Sequence, residues 1–305
     1  MLYRNLLSLI IFLFLSINFL YATGVSAFST MLDNTIAARA LGMGNSYTAV
    51  CDDGNCLWFN PGGLGNMAAG RGLLVSYSRG LVDDNYGTLV YVDKFREHNF
   101  GLGVITLDAG VIEINNSDGS SRTVRAEQDY GLVIGYARKI KDYLSVGGAI
   151  KLLSSRLVEE ASAQAYALDV GCYYRGSDKS SFGLSVQNFG TDVTYHGGIA
   201  TGEAKDQLPL TVRLGGSTEL MNRPKHRLTG SLDLIKLLKE DVNLHLGFEY
   251  WYKNFFALRV GYRAEYDYPY TGGFGVKLSQ YQIDYGVAFL NTLGTTHYVS
   301  VAIRL

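Results

Sequence analysis

Residues 281–289 read YQIDYGVAF, in which Tyr281, Ile283, Tyr285, Val287 and Phe289 alternate with Gln282, Asp284, Gly286 and Ala288. A period of two puts successive side chains on opposite faces of an extended strand, so this stretch has one apolar face and one small or polar face. The second face is the informative one. A sheet lying against water carries Lys and Glu there, whereas glycine, alanine and an isolated aspartate suit an enclosed space.

The pattern spreads outward from there. Val299, Val301, Ile303 and Leu305 alternate with Tyr298, Ser300, Ala302 and Arg304. Phe256, Leu258, Val260 and Tyr262 alternate with Ala257, Arg259, Gly261 and Arg263, and Val242 to Tyr250 repeat the scheme. Strands are predicted near 71–79, 86–94, 98–108, 128–139, 142–155, 162–175, 180–188, 208–217, 225–234, 241–251, 254–266, 271–278, 280–290 and 295–305. Fourteen such segments, with tyrosines gathered near their ends, predict a transmembrane antiparallel β-barrel over residues 71–305 with lipid against its apolar face. The alternative is a secreted soluble β-protein whose apolar faces share a core. Residues 111–124 and 191–207 are polar and are read as long outer loops.

Composition agrees with an all-β chain: 36 glycines, 4 prolines and 22 tyrosines among 305 residues. Lys and Arg number 27 and Asp and Glu 28, a net charge of -1, so no basic field draws the chain to nucleic acid. Residues 1–27 read as a cleaved signal peptide: MLYRN, the apolar run LLSLIIFLFLSINFL, then small-residue exits at Ala22 and Ala27. An uncleaved anchor is the alternative, but the run is short for a spanning helix.

Residues 28–70 lack the alternation. They hold a helical-looking piece over 35–42 and a turn-rich tail, and ahead of a closed barrel they are expected to fold into the lumen as a hatch or plug. Gly42-Met43-Gly44 lacks the third glycine of a dinucleotide loop, and Asp52-Asp53-Gly54-Asn55 lacks alternating calcium ligands. Cys51 and Cys56 have no second ligand pair at zinc spacing. A disulfide between them is expected for an oxidising compartment, with free thiols as the alternative. Cys172, between Val170 and Tyr174, is read as a small lipid-facing hydrophobe. Asn60-Pro61-Gly62-Gly63-Leu64 is read as a tight turn that seats the hatch. No cofactor or metal is expected, and no spacing argues for a catalytic set.

The run Ala38-Arg39-Ala40-Leu41-Gly42-Met43-Gly44, then Tyr47-Thr48-Ala49-Val50, Asp52-Asp53 and Asn60-Pro61-Gly62-Gly63-Leu64, resembles the N-terminal hatch of FadL-like outer-membrane proteins. It is most similar to the PorV/PorQ group and its spirochaete-type relatives. Gln187-Asn188-Phe189-Gly190, Leu208-Pro209-Leu210 and Leu258-Arg259-Val260-Gly261-Tyr262-Arg263 continue the likeness through nearly the whole mature chain. Two features depart from that group: the paired cysteines in the hatch, and Leu305 where a barrel insertion signal usually has phenylalanine. The resemblance implies a monomeric outer-membrane barrel set in lipid and passing hydrophobic or fatty-acid-like molecules past its hatch. The same resemblance implies an alternative, a partner of the type IX secretion system that binds exported protein cargo; a porin-like barrel is a third reading.

The inward register holds Arg213, Arg259, Arg263, Lys277 and Asp284. These charges are expected to form an internal ion-pair network, with unpaired arginines as the alternative, meeting the head group of an amphipathic ligand. Met43, Leu57, Trp58, Phe59, Asn60, Pro61, Gly62 and Leu64 are the hatch residues expected to face that ligand's tail or to seat the turn.

Overall fold

The structure is a computed structural model. It describes residues 28, 31–32, 37–67, 70–80, 84–115, 118–158, 161–197, 205–237, 240–264, 269–290 and 294–305. The expected signal peptide lies outside the described residues.

Within residues 37–67 lie three short turns of helix: α1 (Ala38–Gly42), α2 (Cys56–Phe59) and a 3-10 helix (Pro61–Asn66). The strands follow as β1 (Arg71–Arg79), β2 (Asn85–Phe95), β3 (His98–Asp108), β4 (Val111–Asn115), β5 (Ser121–Arg125), β6 (Glu127–Lys141), β7 (Leu144–Leu157), β8 (Ala161–Arg175) and β9 (Ser180–Gly190). The second half holds β10 (Val193–Gly197), β11 (Lys205–Asp206), β12 (Thr211–Arg223), β13 (His226–Leu237), β14 (Val242–Tyr252), β15 (Phe256–Arg263), β16 (Tyr270–Leu278), β17 (Tyr281–Leu290) and β18 (Gly294–Arg304).

Fourteen of these strands form one closed antiparallel barrel. Each pairs with its neighbour along the chain, β18 returns to β1 from Gly72↔Arg304 to Arg79↔His297, and β8 pairs with β9. Closure leaves no lipid-exposed edge, which a bilayer requires of a strand-built span. One end carries turns of two to four residues. The turn between β14 and β15 has Lys253 and Asn254 both at φ 52, the left-handed pair a tight hairpin with right-twisted strands selects. The other end carries the longer connections, so the short-turn end faces the periplasm.

Burial follows the alternation. Ile283 is 50% exposed while its neighbour Asp284 is 2%. The outward face is apolar along the middle of the wall, with Val75, Leu102, Ile134, Ile150, Leu258 and Val301 all exposed. Aromatic side chains ring both rims: Phe95, Tyr143, Tyr252 and Phe255 at the short-turn end, and Tyr77, Tyr130, Tyr166 and Tyr270 at the other. Such girdles sit at the two membrane–water interfaces. Cys172 is half-buried on the outward register opposite Val146 and Leu184, as a small side chain facing lipid.

Two expected loops hold structure of their own. Residues 111–124 fall largely in the hairpin β4–β5, paired from Val111↔Arg125 to Asn115↔Ser121. Residues 191–207 contain β10 and β11. β10 lies on the first four residues of β8, from Thr194↔Gln164 to Gly197↔Ala161, because β8 outruns β9 and its end needs a partner for its backbone groups. The helical piece expected over 35–42 is α1, which begins at Ala38; residues 35 and 36 are not described.

Candidate functional site

Residues 37–67 are folded against the inward face of the wall. α1 has no side-chain cap at Ala37; the Ala38 amide instead donates to Ser300 Oγ of β18 at 3.0 Å. The helix ends at Met43 and Gly44. Gly44 is at φ +62, and its amide also donates to Thr271 Oγ1 of β16. A wall residue has here replaced the local cap that a short helix normally needs.

Two wall carboxylates hold this segment. Asp233 of β13 accepts from the Tyr47 amide at 3.0 Å, the Thr48 amide at 3.0 Å and Thr48 Oγ1 at 2.6 Å. Glu249 of β14 accepts twice from Arg39, Nε and Nη2 each at 2.9 Å, and once from Arg259 Nε of β15 at 2.7 Å. Arg259 Nη1 reaches Asp284 of β17 at 2.8 Å. On its other side Arg39 Nη1 meets Asp52 at 2.6 Å and Asp53 at 3.0 Å. The result is a chain of five alternating charged partners, Asp52/Asp53, Arg39, Glu249, Arg259 and Asp284, running from the segment into the wall. Burial alone would lower the Arg39 pKa, but the carboxylates of Asp52 and Glu249 outweigh it and hold it well above its usual value. Burial raises the Asp53 carboxyl, partly offset by Arg39, and it accepts the Tyr47 hydroxyl at 2.8 Å.

The turn Asn60–Leu64 is fastened in a similar way. Asn60 is fully buried; Nδ2 donates to Thr48 O and Cys172 O, each at 3.0 Å, and Oδ1 accepts from the Gly62 amide. Pro61 opens the 3-10 helix, where its missing N–H costs nothing. Gly62 O accepts Ser145 Oγ of β7 at 2.6 Å. Met43, Leu57, Phe59 and Leu64 are wholly buried in the packing between segment and wall, Phe59 against Tyr47 at 5.3 Å. Trp58 differs: it is half-buried and also packs on an apolar patch nearer the loop end, made by Tyr86, Ile105, Leu107, Leu153, Ala165 and Val193. Phe28 and Met31 lie in that same patch.

Of the expected inward charges, Arg259 and Asp284 are ion-paired. Arg213 donates from Nε to Gln187 Oε1 at 3.0 Å and stands 5.3 Å over the Phe59 ring. Arg263 is buried in the wall, and Lys277 is half-buried at the periplasmic mouth. A further internal pair joins Lys151 to Asp169 at 2.9 Å. Cys51 and Cys56 are free thiols, buried side by side against Gly63, so the expected disulfide is not formed in this structure. Burial pushes both thiols up. Among the described residues no group of three or more His, Cys, Asp or Glu could hold a metal.

Sequence reasoning quoted Arg39 only within a motif and gave it no partner. The available signal was a single charge inside the small, apolar run ARALGMG, which when buried demands a carboxylate.

A protein-family model described as Type IX secretion system protein PorV matches residues 23–242. The sequence matches no curated protein. Among solved structures the fold is similar to the toluene transporter TodX of Pseudomonas putida, with TM-score 0.61, 12% identity, and coverage of 87% of this chain and 96% of that one. It is also similar to the monoaromatic hydrocarbon channel CymD, TM-score 0.61, 13% identity, covering 88% and 97%. A FadL homologue of Pseudomonas aeruginosa follows at TM-score 0.57 and 11% identity, covering 89% and 98%.

Proposed function

From the premise that the chain belongs to the PorV family and is an outer-membrane barrel of FadL-like fold, we propose that it passes hydrophobic or amphipathic small molecules through a barrel closed by a hatch. The supporting observation is the inward surface of the loop half. On β3, β7 and β8 the lumen side carries an apolar patch, Ile105, Leu107, Leu153, Ala163, Ala165 and Ala167, leading down to Trp58 beside the paired Lys151 and Asp169. A water-filled pore would line that surface with polar groups. Residues 37–67 are the hatch, latched through Asp233 and Glu249, and hydrophobic cargo is held above it on the apolar patch. The likeness to TodX and CymD lends its fold to this reading; the chemistry rests on the lining. The role is that of a carrier and not an enzyme: His98, His226 and His297 each bond a tyrosine, Tyr136, Tyr250 and Tyr285, on the outer face.

The test is saturable binding of a fluorescent long-chain fatty acid to the purified chain. Ala165→Glu, which sets a charge into the apolar surface, is expected to weaken binding at least tenfold. No saturable binding by the unaltered protein would defeat the reading.

A second reading, a secretion-system partner for exported protein cargo, is favoured by the family and by the β4–β5 hairpin, whose Val111 and Ile112 are exposed beyond the barrel. It is tested by crosslinking in native membranes: an exported protein captured by the unaltered chain and lost on Val111→Ser with Ile112→Ser supports it, and equal capture removes the hairpin from the account.

A further inference from the structure

Charge is distributed unequally along the barrel axis. The short-turn end comprises residues 70–72, 92–99, 138–145, 174–181, 219–227, 251–256, 277–282 and 302–305. It holds fourteen of the 27 Lys and Arg side chains but only five of the 28 Asp and Glu, although the chain as a whole is at -1. Some of these cations lie on the outward register at the rim, beside lipid head groups. Six lie on the inward register: Lys94, Lys139, Arg175, Arg227, Lys277 and Arg304, on β2, β6, β8, β13, β16 and β18. They therefore ring the mouth on all sides.

The mouth is concave. One cavity of about 190 Å³ is lined by Arg175, Lys179 and Arg227 together with Arg39 and the carboxylates of Asp52, Asp178, Glu219 and Glu249. A second, of about 70 Å³, is lined by Lys277 and Arg304 with Arg39, Asp52 and Asp53. The anions in reach are mostly engaged. Asp52 and Asp53 are held by Arg39, and Glu219 accepts from Asn222 Nδ2. Lys139 has Asp142 at 3.5 Å, while Lys94 and Arg175 bond only the neutral groups Met67 O and Asn66 Oδ1. Among the described residues Arg227, Lys277 and Arg304 form no ion pair.

We propose that this periplasmic mouth is a docking surface for an acidic polypeptide segment of a soluble periplasmic partner. Head groups of the surrounding bilayer do not reach the inward cations, because the barrel wall stands between them. A single small anion would meet one or two of six. Fourteen strands about 4.8 Å apart and tilted by about 40° enclose a mouth on the order of 28 Å across. An extended segment of about eight residues spans that distance and presents a carboxylate to cations on opposite sides. Like-signed charges around a concave surface also focus the field that steers such a partner in. A docked segment lies against Arg39, the residue that latches the hatch to Glu249. The inference is independent of what the loop half carries.

The experiment uses the full chain in nanodiscs of phosphatidylcholine and a fluorescent ten-residue polyglutamate peptide. Binding is expected that weakens more than tenfold between 50 mM and 500 mM salt. The inward triple variant Arg227→Gln, Lys277→Gln, Arg304→Gln is expected to weaken it at least tenfold. The outward triple Arg96→Gln, Arg138→Gln, Lys253→Gln removes the same charge from the rim and is expected to change it less than threefold. Heat-modified gel mobility confirms that each variant is a closed barrel. Equal loss in the two triples, or no peptide binding at low salt, overturns the proposal. So does recruitment of phosphatidylglycerol vesicles, but not peptide, by the unaltered chain.

Discussion

Asp233 and Glu249 show how much one inward carboxylate can decide. Asp233 is the only acceptor among the described residues for the Tyr47 and Thr48 amides inside the barrel. Asp233→Ala strands both donors, at about 1–3 kcal/mol for each buried group left unmet. We expect protease to cut within residues 37–67 of that variant and not of the parent, with Asp233→Asn between them because one amide oxygen still accepts. Glu249→Gln leaves Arg39 and Arg259 sharing one neutral side chain, and breaking a buried pair of this kind costs about 3–5 kcal/mol. Urea unfolding in lipid vesicles should register that loss. In a double-mutant cycle with Arg39→Met the effects should be non-additive by about 1 kcal/mol or more, since both changes remove the same contact. The thiols give a third check. With burial holding Cys51 and Cys56 in the protonated form, maleimide at neutral pH should leave both unlabelled in the folded, reduced protein and label them after denaturation. Labelling of the folded form would show that residues 37–67 open on the timescale of the reaction.

At the scale of the element, the strands owe their inner face to what presses on it. β15 passes so close to residues 43–44 that a Cβ at Gly261 would overlap the Gly44 backbone. Flexible side chains can move aside, but two main chains held by their own hydrogen bonds cannot. Gly261→Ala is therefore expected to leave the barrel closed, by gel mobility, and to unseat residues 37–67, by protease sensitivity. Gly216→Ala faces outward with nothing nearer than the Phe182 ring at 3.8 Å and serves as the unaffected control. The helices are too short to stand alone: α1 has five residues and α2 four, well under the length at which an isolated helix is stable. Their shape is supplied by the wall, through Ser300, Thr271 and the two carboxylates.

The whole molecule combines a lipid-facing exterior, a latched interior segment and an excess of cations at its short-turn end. A barrel of this size left empty would conduct ions. With residues 37–67 in place we expect no steady conductance across a planar bilayer, and a steady current on deletion of residues 37–66. Should that deletion fail to assemble, Asp233→Ala with Glu249→Gln is expected to give flickering openings in place of silence. A large steady current through the unaltered chain would mean that the interior segment does not close the path.

The barrel was legible in residues 281–289 and their repeats because alternation is a local property: each residue's face is set by the strand that carries it. The fourteen spans lie close to their expected places for that reason, β12 departing most by running six residues past its expected end, and Ile283 and Asp284 are on the faces their types demanded. The glycine and alanine of the inner face signalled an enclosed space, but not what enclosed them. That Gly261 yields to Gly44, that Asp233 caps Tyr47 and Thr48, and that Arg39 reaches Glu249 across 210 positions of sequence are matters of which wall position meets which point on the interior segment. The hairpin in residues 111–125 and the pairing of β10 with β8 escaped the pattern because short polar strands are specified by the partner they find. Periodicity decides which way a side chain points; only closure of the barrel around residues 37–67 decides what it points at, since buried charges and backbone groups must be satisfied by whatever the fold brings within reach.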